Sequence, residues 1–184
     1  MSSERLGKYA CLELERRYLL RGLPANLKVH ENCWLITDRY ISNTRLRLRR
    51  MVMTQSGDTV YKFGQKYRAL SQGPGETTMT NMYLNDEEYH SLSKLDAREI
   101  IKKRYKYVYD GLEYGIDVFA GELEGLILAE LECETMDEFE RLQKPPFAIK
   151  EVTSQIFFTG GYLAGLTRRE FEAELAKSLR VNKD

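Results

Sequence analysis

The segment Leu12-Glu13-Leu14-Glu15-Arg16-Arg17-Tyr18 constrains the fold more than any other. An extended strand sends successive side chains to opposite faces, so Glu13, Glu15 and Arg17 share one face and Leu12 and Leu14 the other. Thr44-Arg45-Leu46-Arg47-Leu48-Arg49 repeats the pattern in the opposite charge, with Arg45, Arg47 and Arg49 on one face and Leu46 and Leu48 on the other. Acidic teeth on one strand and basic teeth on another point to a site that holds metal cations and a polyanion together.

The whole-chain charge hides this arrangement. Twenty-eight basic and 28 acidic residues cancel, so net charge argues for neither nucleic acid nor an acidic membrane surface. The distribution is uneven. From Tyr107 to Glu140 there are 11 acids and no Lys or Arg, while bases concentrate around 39–50, 62–68 and 98–106. Opposite charges on different strands can meet only in the folded chain. At 184 residues with 42% hydrophobic content, one compact domain spanning 1–184 is expected.

Other site classes find little support. Cys11, Cys33 and Cys133 are odd in number and widely spaced, matching neither a zinc site nor a disulfide framework, so buried free thiols are expected. His30 and His90 belong to no motif, which argues against a histidine-ligated transition metal. Gly160-Gly161 is too short for a phosphate-cradling glycine loop. The polar start Met1-Ser-Ser-Glu-Arg lacks an apolar signal core, and no apolar run approaches the ~20 residues of a membrane helix. The expectation is a soluble, cytoplasmic protein without a membrane partner, either monomer or homodimer.

Strand-like segments dominate: 9–20, 32–41, 44–53, 58–68, 76–84, 99–109, 113–120, 126–134 and 150–158 alternate in polarity and are rich in Tyr, Val, Ile, Leu and Thr. Ser42-Asn43, Ser56-Gly57-Asp58, Gly73-Pro74-Gly75 and Asp110-Gly111 are the turn signals between them. Three helices announce themselves by capping-box spacing at Asn85…Glu88, Thr135…Glu138 and Thr167…Glu170. Tyr89, Leu92 and Leu95, then Phe171, Leu175 and Leu179, read as packing faces. The result is an antiparallel sheet with few helices. If open, its charged face is solvated; if closed, that face lines a polar interior and the leucine face is covered by helices.

Carboxylates recur on one face in Glu130-Leu131-Glu132, and Asp117 stands in Gly115-Ile116-Asp117-Val118-Phe119. Converging carboxylate oxygens suit a hard divalent cation, Mg²⁺ or Mn²⁺. Among the bases, Lys62 and Lys66 share a face, as do Lys102, Arg104 and Lys106. Arginine forks grip phosphate oxygens in pairs and lysine adds a point charge. A solvated face remains the alternative for both. A nucleic-acid contact fits less well with a neutral chain lacking aromatics set among the bases.

Together these residues resemble the CYTH superfamily, the triphosphate tunnel metalloenzymes. Its Glu-x-Glu-x-Lys strand is similar to Glu13-Leu14-Glu15-Arg16-Arg17, and its basic strand to 44–49. Its lysine-bearing strand resembles 61–67, with Lys66 the closer match, and its Lys-x-Arg-Tyr strand resembles Lys102-Lys103-Arg104-Tyr105. Asp117-Val118-Phe119, Glu130-Leu131-Glu132 and Glu151-Val152-Thr153 follow in the family's order, the last preceded by Lys150. The resemblance runs from about residue 11 to about 165. No single motif is specific; their order and spacing are.

The resemblance implies an α+β fold, an eight-stranded antiparallel β-barrel or tunnel with flanking helices. It implies a linear triphosphate substrate, most simply inorganic tripolyphosphate, cleaved with Mg²⁺ or Mn²⁺. A class IV-type adenylate cyclase, an organic triphosphatase and a non-catalytic polyphosphate binder are the alternatives. Arg45, Arg47, Arg49, Lys66, Lys102, Arg104 and Lys150 would bind phosphate. Glu13, Glu15, Asp117, Glu130 and Glu132 would hold metal, and Glu13, Glu15 and Arg17 would be the catalytic group. One departure stands out: the family's final lysine is Arg17 here, and arginine does not deprotonate. Either Arg17 only binds charge, or the metal alone activates water, or another residue does.

Overall fold

The computed structural model describes residues 8–29, 32–67, 72–73 and 75–179. His30 and Pro74, weighed above, lie outside the described residues. In chain order the elements are β1 (Cys11–Leu19), β2 (Trp34–Ile41), β3 (Leu46–Met53), β4 (Thr59–Tyr67), β5 (Glu76–Leu84), α1 (Asp86–Leu92), β6 (Ala97–Tyr109), β7 (Leu112–Phe119), β8 (Ile127–Cys133), α2 (Met136–Arg141), β9 (Lys150–Glu151), α3 (Gly160–Leu163) and α4 (Arg168–Leu179).

The sheet closes on itself. Strand order is β5-β4-β3-β2-β6-β7-β8-β1, and β5 pairs back to β1, giving an eight-stranded antiparallel barrel. Strand β1 divides one of its edges: Cys11–Leu14 pair with β5, whereas Tyr18 and Leu19 pair with the short β9. Closure decides what alternation alone left open. The charged faces of β1, β3 and β6 turn inward instead of to solvent.

Turn chemistry joins neighbouring strands. Asp110 and Gly111, with φ of 52° and 76°, form a two-residue turn in which both residues sit in the left-handed region. Tyr109 and Leu112 then face each other across β6 and β7. Asn43 takes φ of 59° between β2 and β3. The capping residues behave as their spacing predicts. Asn85 and Glu88 exchange both bonds of a capping box, Thr135 Oγ1 accepts from Glu138 N, and Thr167 and Glu170 cap reciprocally.

Two apolar clusters sit around this barrel. One fills an end of it: Leu19, Ile100, Phe119 and Leu128 from the strands meet Val152, Phe158, Leu163 and Phe171 from the chain's last third. Leu175 and Leu179 of α4 pack on the same cluster, which makes that stripe a packing face. The other lies outside β1, β6, β7 and β8, where Tyr18, Tyr105, Tyr114, Ile116 and Leu131 are covered by Leu142, Phe147 and Ala148. This outer cluster is covered by an irregular segment, with the short helix α2 packing on β1 and β8 beside it. Phe147 touches Tyr107, Tyr109 and Tyr114 edge to face, with centroids 5.3–5.4 Å apart.

Three expectations need correction. Residues 150–158 are not one strand: after Lys150–Glu151 the chain turns into a 3₁₀ segment at Ile156–Phe158 and then α3. The β-branched and aromatic run reads as a strand, but burial of Phe158 and Leu163 in the end cluster overrides that local preference. The α1 stripe buries nothing fully; Tyr89 instead stacks on Tyr61 at 4.4 Å. Of the thiols, all free, Cys33 is buried, Cys133 half-buried and Cys11 exposed. Among the described residues no helix is long and apolar enough to cross a membrane.

Candidate functional site

A cavity of about 660 Å³ occupies the barrel interior. Strand β1 lines it with Glu13, Glu15 and Arg17, β8 with Glu130 and Glu132, β3 with Arg47 and Arg49, β4 with Lys62 and Lys66, and β6 with Lys102 and Arg104. Arg45, just ahead of β3, and Asp38 of β2 complete the charged lining. Among the described residues eight basic side chains face five carboxylates, so the cavity carries an excess of positive charge suited to a polyanion.

The acidic wall centres on Arg17. Its Nη2 contacts Glu15, its Nε donates to Glu130 Oε1 at 3.2 Å and its Nη1 to the Phe158 carbonyl at 2.9 Å. Burial opposes the charge on Arg17, but Glu15 and Glu130 outweigh it and raise the pKa further. Burial and Glu130 push the Glu15 carboxyl up; Arg17 and Lys66 prevail and hold it below its usual range. Lys66 Nζ lies 2.8 Å from Glu15 Oε2 and also touches Glu13 Oε2. Burial opposes the charge on Lys66, but Glu15 and Glu13 prevail and raise its pKa. Glu132 makes no ion pair or hydrogen bond among the described residues. Burial, Glu13 and Glu15 push its carboxyl up.

The basic wall divides into pinned and unpinned cations. Arg49 forks onto Asp38, Nε to Oδ1 at 2.6 Å and Nη2 to Oδ2 at 2.8 Å. Arg104 forks onto Asp117 at 2.6 Å through both nitrogens and also reaches Glu130. Lys102 is buried against Asp117, and burial lowers its pKa despite that partner. Burial raises the Glu130 carboxyl, but Arg104, Lys102, Arg17 and Lys66 bring it well below its ordinary value. Against these, Arg47 approaches Asp38 only to 3.6 Å. Arg45 lies over the Tyr67 ring at 4.3 Å and Lys62 over Tyr83 at 5.0 Å. Neither has a carboxylate partner among the described residues.

Most of the expected site residues therefore line one cavity, and two do not. Asp117 is fully buried behind the lining, where it anchors Lys102 and Arg104. Lys150 sits exposed on β9 opposite Leu19, outside the cavity. Among the described residues no three His, Cys, Asp or Glu side chains are gathered at metal-holding geometry. Lys66 and Arg17 stand between the carboxylates instead.

Asp38 and Tyr40 were not among the expected residues, yet both line the cavity. Their signal was the alternation Ile36-Asp38-Tyr40, obscured because Thr37 and Arg39 on the other face are also polar. Burial raises the Asp38 carboxyl, but Arg49 and Arg47 prevail and hold it well below the ordinary range. The segment Thr153–Leu163 also contributes to the lining. There Gly160 approaches Tyr40 so closely that a Cβ would overlap the phenol.

No family model matches the chain. A curated relative from Acetivibrio thermocellus, named inorganic triphosphatase, is 40% identical over 63 residues, covering 34% of this chain. The chain matches 39% of that relative's length. A solved structure of a protein named inorganic triphosphatase NE1496 superposes with a TM-score of 0.55 at 22% identity, over 83% of this chain and 93% of that one. Another, named hypothetical protein NE1496, gives 0.56 at 24%, over 84% and 99%. At this identity the structural likeness is one of fold.

Proposed function

We propose that this chain, whose fold is the closed tunnel of the CYTH superfamily, is a divalent-metal-dependent triphosphatase. Its favoured substrate is inorganic tripolyphosphate, cleaved to pyrophosphate and phosphate. The observation that carries this reading is the sorting of charge in the cavity. Among the described residues Arg45, Arg47 and Lys62 are cations with little or no carboxylate pairing, and they share the cavity with Glu13, whose carboxylate pairs with Lys66 alone, and Glu132, which has no ion pair. A triphosphate satisfies the first group and a cation the second. The 40% identical stretch shared with a protein named inorganic triphosphatase supports the same choice of substrate.

The acidic donors fit Mg²⁺ or Mn²⁺ in kind. All are carboxylate oxygens, and among the described residues Glu13 is paired with Lys66 alone and Glu132 has no ion pair. Glu13, Glu15 and Glu132 would hold the ion, with Glu130 beside them. Bound there, it supplies charge neutralisation at phosphoryl oxygens and a lowered pKa for an attacking water. Phosphoryl transfer asks little else than positioning and electrostatic stabilisation. Arg45, Arg47 and Lys62 would hold the phosphate chain. Arg49, Lys102 and Arg104 present fixed positive charge because Asp38 and Asp117 hold them in place. Arg17 keeps its proton, so its part is to orient Glu15 and Glu130 rather than to take a proton from water.

The test is phosphate release from tripolyphosphate with Mg²⁺, with Mn²⁺ and with chelator, beside ATP and pyrophosphate. Metal-dependent release that is fastest from tripolyphosphate is expected. No release, with thermal stabilisation by tripolyphosphate, would replace the enzyme with a binding protein.

A further inference from the structure

We propose that Lys66 is the resident counter-ion of the Glu13–Glu15 pair, so that a divalent cation binds only by displacing it, and Lys66 thereby sets metal affinity. The inference rests on the triphosphate-site reading above and adds a role within that site. The Lys66 ammonium lies 2.8 Å from Glu15 Oε2 and in contact with Glu13 Oε2. Those are oxygens a cation would need. Among the described residues Lys66 is the only cation paired with Glu13, so its departure frees that carboxylate for a metal ion.

Two neighbours show why Lys66 is the group that moves. Arg17 also touches Glu15, but it is held at three points, by Glu15, Glu130 and the Phe158 carbonyl. Among the described residues Lys66 pairs with the two carboxylates alone, on a flexible four-carbon stem. Glu132 stands across from Glu15 and, among the described residues, has no ion pair, Lys66 acting on it only from a distance. A doubly charged ion serves all three carboxylates where a single ammonium serves two. Strand β4 puts Lys66 on the same face as Lys62, so the freed ammonium stays within the cationic wall that would hold the phosphate chain. One residue would thus guard the metal site when substrate is absent and serve the substrate when metal is present.

Isothermal titration with Mn²⁺ alone, without phosphate, tests this. Lys66→Gln should bind Mn²⁺ at least about tenfold more tightly than the unmodified protein. Lys62→Gln removes a cavity cation of equal charge that touches neither carboxylate, and should change the affinity less than about threefold. Equal tightening in both variants would reduce the effect to general charge and overturn the proposal, as would no tightening in Lys66→Gln. Should Lys66→Gln fail to fold, the unmodified protein gives the answer by reductive methylation read by mass spectrometry. Lys66 should react faster once Mn²⁺ is added, and an unchanged rate overturns the proposal. Tripolyphosphate titrations separate this from failure of the underlying reading. If neither Mn²⁺ nor tripolyphosphate binds any of these proteins, the site reading itself falls.

Discussion

Glu15 and Glu132 stand directly opposite one another on β1 and β8, two carboxylates across one antiparallel pair. Like charges in that position oppose folding. Two residues along each strand the pattern reverses, and Arg17 faces Glu130. The barrel thus places a repulsive pair beside an attractive one, and both line the cavity.

Removing the repulsion should help the metal-free protein and harm its proposed function. Glu132→Gln is expected to stabilise it in chelator by about 0.2–1 kcal/mol, towards the lower end because Glu132 is exposed. The same change should abolish stabilisation by Mn²⁺ and turnover of tripolyphosphate. Thermal melts with and without Mn²⁺ check this; normal rates at saturating Mn²⁺ would remove Glu132 from the site.

Arg47 is the cavity arginine with a loose partner, 3.6 Å from Asp38. Arg47→Ala should raise the KM for tripolyphosphate about tenfold or more, as expected for a lost charge-assisted contact of about 1.5–3 kcal/mol. The melting temperature should change little. Steady-state kinetics decide it, and an unchanged KM would take Arg47 out of phosphate binding.

Asp38→Asn should behave differently, because Arg49 depends on it. Breaking a buried pair from one side costs about 3–5 kcal/mol at neutral pH. Arg49 and Arg47 hold the Asp38 carboxyl below its ordinary value against the opposing effect of burial. Its contribution is therefore present above about 3.9, the ordinary aspartate pKa, and fades as pH falls towards the folded value. Denaturant unfolding at pH 7 and pH 3 should show the gap between the two proteins narrowing at the lower pH.

Arg17→Lys removes the three-point clasp on Glu15, Glu130 and the Phe158 carbonyl. A lysine cannot span all three, so a loss of about 2 kcal/mol is expected, read as a melting temperature lower by about 4–8 °C. Turnover should not improve. A large gain in rate would mean that arginine here has moved the protein from catalysis towards binding.

Gly160→Ala should destabilise the protein by about 1–3 kcal/mol through overpacking against Tyr40. Adding Tyr40→Phe should restore only part of the loss, because the new Cβ would still lie 2.7 Å from the ring's Cζ. Full rescue by Tyr40→Phe in denaturant titrations would show that the hydroxyl alone was the obstacle.

The strands and their faces were legible because alternation is a local property. Leu12 to Tyr18 sorts Glu13, Glu15 and Arg17 onto one side whatever the sheet does next. Asp110-Gly111 and the capping pairs at Asn85, Thr135 and Thr167 were legible for the same reason: their chemistry lies within a few residues. Closure was not local. It depends on β5 returning to β1, and only then do the charged faces become an interior. The resemblance supplied that expectation where alternation could not. Partner choice was likewise out of reach. Asp117 serves Lys102 and Arg104 rather than the cavity, and Asp38 pins Arg49, because strand register sets which opposite charges are neighbours. The stretch after Glu151 looked extended by composition, yet burial of Phe158 and Leu163 folds it over the barrel's apolar end. The sequence by itself determined which residues share a face. The tertiary structure decided which of them meet, because that depends on contacts between residues more than 100 positions apart, such as Arg17 with Glu130 and Phe158.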